Sequence, residues 1–217
     1  MPRRECTLVF LPGFMASAKS YDALLEPLAD RGVELLVPQL YPRGLGALRG
    51  KHSVRQEAAD AAELACGVSG PVFLGGHSRG GQAAWLAAGE ARVAGLFLLD
   101  PVDGRGRRPQ TDLSTRLSSA YHGPAWIIGA GVGGACAPVG ANHEQFARAT
   151  PQAVHIVVHD LGHADMLQDR SRSLGRRLCG GGDEPDAARA LCTRLLADFV
   201  AGEVPALGEH DGFRRVR

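Results

Sequence analysis

The chain has 217 residues, enough for one domain with a sizeable core. Hydrophobic residues make up 45% and charged residues 22%, an ordinary globular balance that excludes a disordered or low-complexity chain. A formal net charge of +1 gives no basis for a nucleic-acid partner or for attraction to an anionic membrane, and no apolar run is long enough to span a bilayer.

Residues 1–6 (MPRREC) are basic but run straight into an apolar segment, so no signal or transit peptide is expected in them. Segment 7–11 reads as a strand, and Tyr21, Leu24, Leu25 and Leu28 then recur at helical spacing. A strand over 33–37 is ended by Pro38. Val54, Ala58, Ala61, Ala62 and Ala65 mark a helix closed by Gly67. A strand over 72–74, an alanine-rich helix over 80–90 and a strand over 94–99 follow. Segment 103–110 is a polar loop rich in glycine and arginine. Beyond it come a strand over 125–128, a helix near 144–149 and a strand over 154–158. A last helix carries Ala188, Leu191, Leu195 and Phe199 on one face. Near-continuous apolar strands alternating with helices predict an α/β fold, a parallel sheet of about six strands with helices on both faces. The loops that follow the strands then share the carboxyl edge of one sheet. The five cysteines are an odd number without metal-ligand spacing, so a disulfide framework is not expected. Cys179 and Cys192 flank a glycine-rich turn and are the candidate pair in an oxidising compartment; free thiols are the main expectation.

Gly75-Gly76-His77-Ser78-Arg79-Gly80-Gly81 stands between the strand over 72–74 and the alanine-rich helix. This is a Gly-x-Ser-x-Gly motif in strand–turn–helix context, where the sharp turn projects the serine hydroxyl above the sheet. The helix N-terminus beneath it favours the negative charge that develops on an attacked ester carbonyl. An activated serine needs a base, an acid to orient that base and donors for the oxyanion, and with this motif the chain order is serine, acid, histidine. Asp100, at the end of an apolar strand, is the expected acid, with Asp103 competing from three residues further on. His163, in Asp160-Leu161-Gly162-His163-Ala164-Asp165-Met166, is the expected base, with His159 as runner-up. His77 should point away from Ser78. His52 and His210 read as solvated, and His155 lies inside a strand. The oxyanion donors are expected from the backbone N–H of Arg79 and of Phe14 or Met15, in the loop Pro12-Gly13-Phe14-Met15 after the first strand.

Gly129-Ala130-Gly131-Val132-Gly133-Gly134 matches a G-x-G-x-x-G spacing. A dinucleotide site also needs a helix opening at the third glycine, whereas Ala135 to Gly140 continues as loop and Pro138 blocks a long helix. No P-loop and no cluster of metal ligands is present, so neither a cofactor nor a protein-bound metal is expected.

The same residues carry a resemblance. GHSRGG around Ser78, LDPVDG (99–104), VPQLY (37–41), CAPVGANHEQF (136–146) and DLGHADML (160–167) resemble the chlorophyllases in family order over most of the chain. The resemblance implies a single α/β-hydrolase domain over 1–217, shortened at its N-terminus. It implies Ser78, Asp100 and His163 as a catalytic triad and hydrolysis of the phytyl ester of chlorophyll to chlorophyllide and phytol. The pigment brings its own magnesium. A macrocycle with a long apolar tail calls for an open, apolar cleft. Phe14, Met15, Met166 and Leu167 are candidates to line it, with plain core packing equally open for each. Loop 41–51 is either a lid or a solvated connection. The family also implies a phototroph's chloroplast or cytoplasm and a peripheral contact with pigment-bearing membrane, and leaves the oligomeric state open. One departure is Pro12-Gly13-Phe14 where the family reads His-Gly-Phe. It keeps the glycine and the backbone donor but loses a side chain that orders the loop. Two alternatives stand beside this reading: a broader carboxylesterase or lipase with the same triad, and a catalytically weak pigment-binding protein.

Overall fold

The computed structural model describes residues 6–40, 53–104, 113–117, 119–203 and 213–216. Its strands are β1 (Cys6–Leu11), β2 (Val33–Leu36), β3 (Val72–His77), β4 (Gly95–Leu99), β5 (Ala125–Val132), β6 (Val154–Gly162) and β7 (Phe213–Arg215). The helices are α1 (Asp22–Ala29), α2 (Val54–Cys66), α3 (Arg79–Ala88), α4 (His143–Ala149), α5 (Asp169–Cys179) and α6 (Pro185–Ala201). The strands form one sheet in the order β2-β1-β3-β4-β5-β6-β7. The first six run parallel and are the six expected from the sequence. The seventh pairs antiparallel with β6, Val157 opposite Arg214. Its three residues are too short to show an alternating pattern.

Each strand alternates its side chains between two cores. Leu8 and Phe10 of β1 join Phe97, Leu99, Ile128 and Ile156 against Leu24 and Leu28 of α1 and Leu195 and Phe199 of α6. Val9 and Leu11 join Leu74, Leu96, Leu98 and Ile127 against Ala58, Ala61 and Ala65 of α2, Ala83, Ala84 and Ala87 of α3 and Phe146 of α4. The alanines let α2 and α3 lie close to the sheet and to each other. That is why these helices carry small residues where α1 and α6 carry leucine.

Two strands outrun their apolar cores. β5 continues through Val132 and β6 through Gly162, with a register shift between Ala130 and Val132. The glycine-rich stretch from Gly129 is therefore largely strand, and the next helix opens only at His143. Helix α5 was not expected. It is polar, contains Gly175 and buries only Cys179, so it has no apolar stripe for a periodicity reading to find. A disulfide joins Cys136 to Cys179, with Cα atoms 5.1 Å apart. This corrects the expectation of a free thiol at Cys179 and of Cys192 as its candidate partner; Cys66 and Cys192 are free thiols as expected. Cys192 is enclosed in the core, where burial, and then the charges of Asp100 and Asp165, push its thiol up to about 12. Because β5 and β6 are neighbours, the loop after one and the helix after the other meet at the carboxyl edge. No helix among the described residues is long and apolar enough to cross a membrane. Loop 41–51, His52, His210 and residues 105–110 of the polar loop lie outside the described residues.

Candidate active site

β1 has β2 on one side of it and β3 on the other. In open parallel sheets, ligands bind outside the carboxyl ends of the strands at such a reversal of strand order. The loop Pro12–Met15 leaves β1 there, and Ser78 leaves β3.

Ser78 sits between β3 and α3 with φ 55° and ψ −123°. A non-glycine residue holds such a conformation only when its surroundings impose it. They do so through two close backbone approaches. A Cβ on Gly76 would lie 2.4 Å from the carbonyl oxygen of Gly80, and one on Gly80 would lie 2.0 Å from that of Leu11. Only glycine fits either place. The helix that follows Ser78 is tied to α2 by Arg79, whose Nη2 and Nε lie 2.6 and 3.2 Å from the carboxylate of buried Glu57. The backbone N–H of Arg79 lies in the first turn of α3, where helix donors have no intrahelical acceptor.

Asp100 follows β4 directly, has φ 36° and is fully buried. Its Oδ2 lies 2.6 Å from His163 Nδ1, and its Oδ1 accepts from the backbone N–H of Ala130 at 3.2 Å. Burial alone would raise this carboxyl. The hydrogen bond from His163 and its charge, helped by His143 and the Ala130 N–H, outweigh that and hold Asp100 below the usual carboxylate range. An ionised carboxylate only accepts, so Nδ1 of His163 carries the hydrogen. In the neutral ring Nε2 is then bare, and it lies 3.0 Å from Ser78 Oγ. Ser78, His163 and Asp100 thus form one hydrogen-bonded line. The arrangement can remove a proton from a partly exposed hydroxyl and return it to a leaving group.

The competing residues go elsewhere. Asp103 is buried and accepts from Gln82 Nε2 at 2.7 Å, Ser114 N at 3.0 Å, and Thr115 N and Oγ1 at 2.8 and 2.6 Å. It fixes the crossover after β4. His159 is exposed within β6, and His155 is buried with Nε2 2.8 Å from His143 Nδ1. His77 turns into the interior, toward Tyr21 and the His163 backbone. Phe14 and Met15 are 46% and 49% exposed in the loop after β1, and the backbone of Gly13 lies against Ser78. Met166 and Leu167 are buried in the core between β6 and α6, so their surfaces are spent on packing.

Sequence reasoning passed over Asp165. Its fully buried carboxylate accepts from Gly162 N at 2.7 Å and Gly182 N at 2.8 Å and pairs with Arg176, which anchors the turn that carries His163. The signal was a charged residue two positions after His163 in an otherwise apolar turn.

Residues 5–204 match the family profile described as Chlorophyllase. "Chlorophyllase-1, chloroplastic" of Citrus unshiu is 30% identical over 229 aligned positions, covering 90% of this chain and 69% of its own length. Chlorophyllase-2 of Arabidopsis thaliana is 27% identical, covering 89% and 71% respectively. Among solved structures, a ferulic acid esterase from Streptomyces cinnamoneus superposes with a TM-score of 0.70 at 18% identity, over all of this chain and 75% of its own. Est1E from Butyrivibrio proteoclasticus, with ferulic acid bound, gives 0.62 at 14% identity over 90% and 89%. At those identities the structures speak for the fold, which is that of the α/β-hydrolases. The profile match and the plant relatives speak for more: the chain belongs to the chlorophyllase family and is a carboxylic ester hydrolase.

Proposed function

We propose that the chain hydrolyses the phytyl ester of chlorophyll to chlorophyllide and phytol, with Ser78 as nucleophile, His163 as base and Asp100 as the acid that orients it. The observation that carries this reading is the line Asp100 Oδ2 to His163 Nδ1 at 2.6 Å and His163 Nε2 to Ser78 Oγ at 3.0 Å, within a family that cleaves esters.

His163 Nε2 takes the hydroxyl proton as Ser78 Oγ adds to the ester carbonyl. The oxyanion of the tetrahedral intermediate is held by the backbone N–H of Arg79 and of Phe14 or Met15, worth several kcal/mol between them. His163 gives its proton to the departing phytol oxygen and leaves an acyl-Ser78. A water, deprotonated by His163, attacks the acyl carbon. The carboxylate of chlorophyllide then leaves, and Ser78 regains its proton. Asp100 keeps the hydrogen on Nδ1 throughout and stabilises the imidazolium that forms twice per cycle. The exposed Phe14 and Met15 supply apolar surface beside Ser78 for the pigment. No protein-bound cofactor enters any step; the magnesium belongs to the substrate.

The test is purified protein incubated with chlorophyll a in detergent, wild type beside Ser78→Ala, followed by phase partition. Green pigment should move to the polar phase with wild type alone. Pigment retained by both, while short p-nitrophenyl esters are cleaved by wild type, would leave the triad and refute the substrate.

A further inference from the structure

The proposed triad does not use a second line of buried polar groups beneath it. Tyr21 is fully enclosed, and its hydroxyl lies 2.7 Å from His77 Nδ1 and 2.9 Å from the backbone nitrogen of Gly13. His77 is also buried, and its Nε2 lies 2.9 Å from the backbone oxygen of His163. The polarity of this line is determined at every link. A carbonyl only accepts, so Nε2 of His77 carries a hydrogen. Burial, and then the neighbouring His163, lower the His77 pKa to about 3, so the ring is neutral and Nδ1 is bare. Tyr21 therefore donates to Nδ1, and its oxygen accepts the N–H of Gly13.

We propose that Tyr21 and His77 are positioning residues for ester hydrolysis, a hydrogen-bonded bridge of fixed polarity that holds the Gly13–Met15 loop and the His163 turn in register on either side of Ser78. The proposal rests on the triad reading above. What it adds is a reason for the two loops to meet. β1 and β6 are four strand spacings apart in the sheet, about 19 Å at ordinary spacing, so no backbone ladder sets the distance between Gly13 and His163. Further out, Gln168 and Ser171 tie residues 19–23 to the segment beyond the His163 turn, with Gln168 N 2.9 Å from Ser20 O and Ser171 Oγ 3.0 Å from Ser20 Oγ; the bridge joins the two loops beside Ser78 itself, and it passes through the residue that precedes the nucleophile. Gly13 is wedged into the junction: a Cβ there would lie 3.0 Å from His77 Nδ1, 3.2 Å from the Tyr21 hydroxyl and 3.2 Å from Ser78 Cβ. The loop that is expected to hold the oxyanion is therefore seated on the bridge itself. Displacements near 1 Å in such a site cost up to about 100-fold in rate.

Tyr21→Phe deletes one hydroxyl and keeps the ring, which packs edge-on against Phe10 at 5.1 Å between centroids. On p-nitrophenyl butyrate it should lower kcat by about 10- to 100-fold with KM changed less than about twofold. Affinity for an alkyl boronic acid, which mimics the tetrahedral adduct on Ser78, should fall by the same factor as kcat/KM. His77→Leu should match Tyr21→Phe. The double variant should lose little more than either single variant, because one bridge is cut once. His77→Gln, whose side-chain amide carries both an N–H to donate to the His163 carbonyl and an oxygen to accept from Tyr21, should restore most of kcat. These assays are run below the onset of melting of every variant. If Tyr21→Phe fails to fold, the contrast between His77→Gln and His77→Leu reads the bridge from its other end. Tyr21→Phe with kcat and boronate affinity within twofold of wild type, or a loss confined to KM, would overturn the proposal, whatever happens to thermal stability. Ser78→Ala is assayed in parallel: turnover persisting there would overturn the triad reading, a failure distinct from that of the bridge.

Discussion

His77→Gln should flatten the pH dependence of folding stability between pH 6.5 and about 4. In the unfolded chain this histidine titrates near 6.5, whereas burial in the fold lowers it to about 3. A base whose folded pKa is depressed is accepted neutral by the native state. Its full compatibility with folding holds above 6.5 and is lost as the pH falls from 6.5 toward 3, because the unfolded state gains a proton that the native state refuses. At pH 5 the unfolded histidine is about 97% protonated and the native one about 1%. The difference corresponds to about 2 kcal/mol of lost stability relative to neutral pH. His143 is depressed for the same reason and adds to the slope, so the wild type alone does not isolate His77. The variant does. Asp100 is depressed as well, but its contribution is held above the ordinary carboxylate range and is lost only as the pH falls through a still lower folded value, outside this window. Urea titrations followed by the fluorescence of Trp85 and Trp126 at pH 7.5 and pH 5 give the free energies directly. Wild type should lose about 2 kcal/mol more than His77→Gln between the two conditions. Equal losses would mean that His77 is protonated in the fold, and the polarity of the Tyr21–His77–His163 line would have to be reversed or abandoned.

Asp100→Asn should lower kcat on the order of 10⁴-fold, since the amide no longer enforces the tautomer with the hydrogen on Nδ1. Asp103→Asn should leave kcat within a few-fold and lower stability, because Asp103 accepts three hydrogen bonds from its own crossover and one from Gln82 of α3. Steady-state kinetics with the opposite ranking would move the acid to Asp103. Cys136→Ser, or reduction, opens a bridge between positions 43 apart in sequence and should cost up to about 4 kcal/mol by chain entropy. A non-reducing urea titration in which wild type and Cys136→Ser coincide would show that the bridge does not form in solution.

The sequence made the six parallel strands legible because each is a short apolar run between helical patterns, and one face of α1 and of α6 repeats leucine and phenylalanine at helical spacing. Ser78 was legible through its glycines, since Gly76 and Gly80 stand where two backbones nearly touch. Asp100 was legible through its place at a strand end. What stayed hidden depends on distances between segments remote in sequence. Tyr21 and His77 are 56 positions apart and His77 and His163 are 86 apart, so neither spacing marks them as partners. Tyr21 reads as one more apolar position in a helical stripe. Cys136 and Cys179 were within reach once β5 and β6 were taken as neighbours, because the segments after adjacent parallel strands emerge at the same edge. Cys179 to Cys192 along the chain was the wrong measure; proximity across the sheet was the right one.

The candidate site is also where the backbone departs most from ordinary conformations. Four non-glycine residues among those described have a positive φ, and three of them, Met15, Ser78 and Asp100, belong to the candidate site, with the fourth, Asp169, opening α5 just after the His163 turn. Each such residue costs of order 1–3 kcal/mol, which is not held in place by local sequence preference. Here the three in the candidate site are held by bonds to other segments. Ser78 N donates to Leu99 O at 3.1 Å and Asp100 N to Ile128 O at 2.6 Å, while the Met15 loop is seated through Gly13 on Tyr21. Loosening any one of these ties lets its neighbour relax toward an unstrained conformation. The fold can tolerate that relaxation and the proposed chemistry cannot, because the Ser78 hydroxyl and the Arg79 N–H follow β3, the His163 ring follows β6 and the second proposed oxyanion donor follows β1. A substitution that cuts a cross-loop bond should therefore lower kcat well before it lowers the melting temperature appreciably, and Tyr21→Phe is the variant in which that separation should be widest.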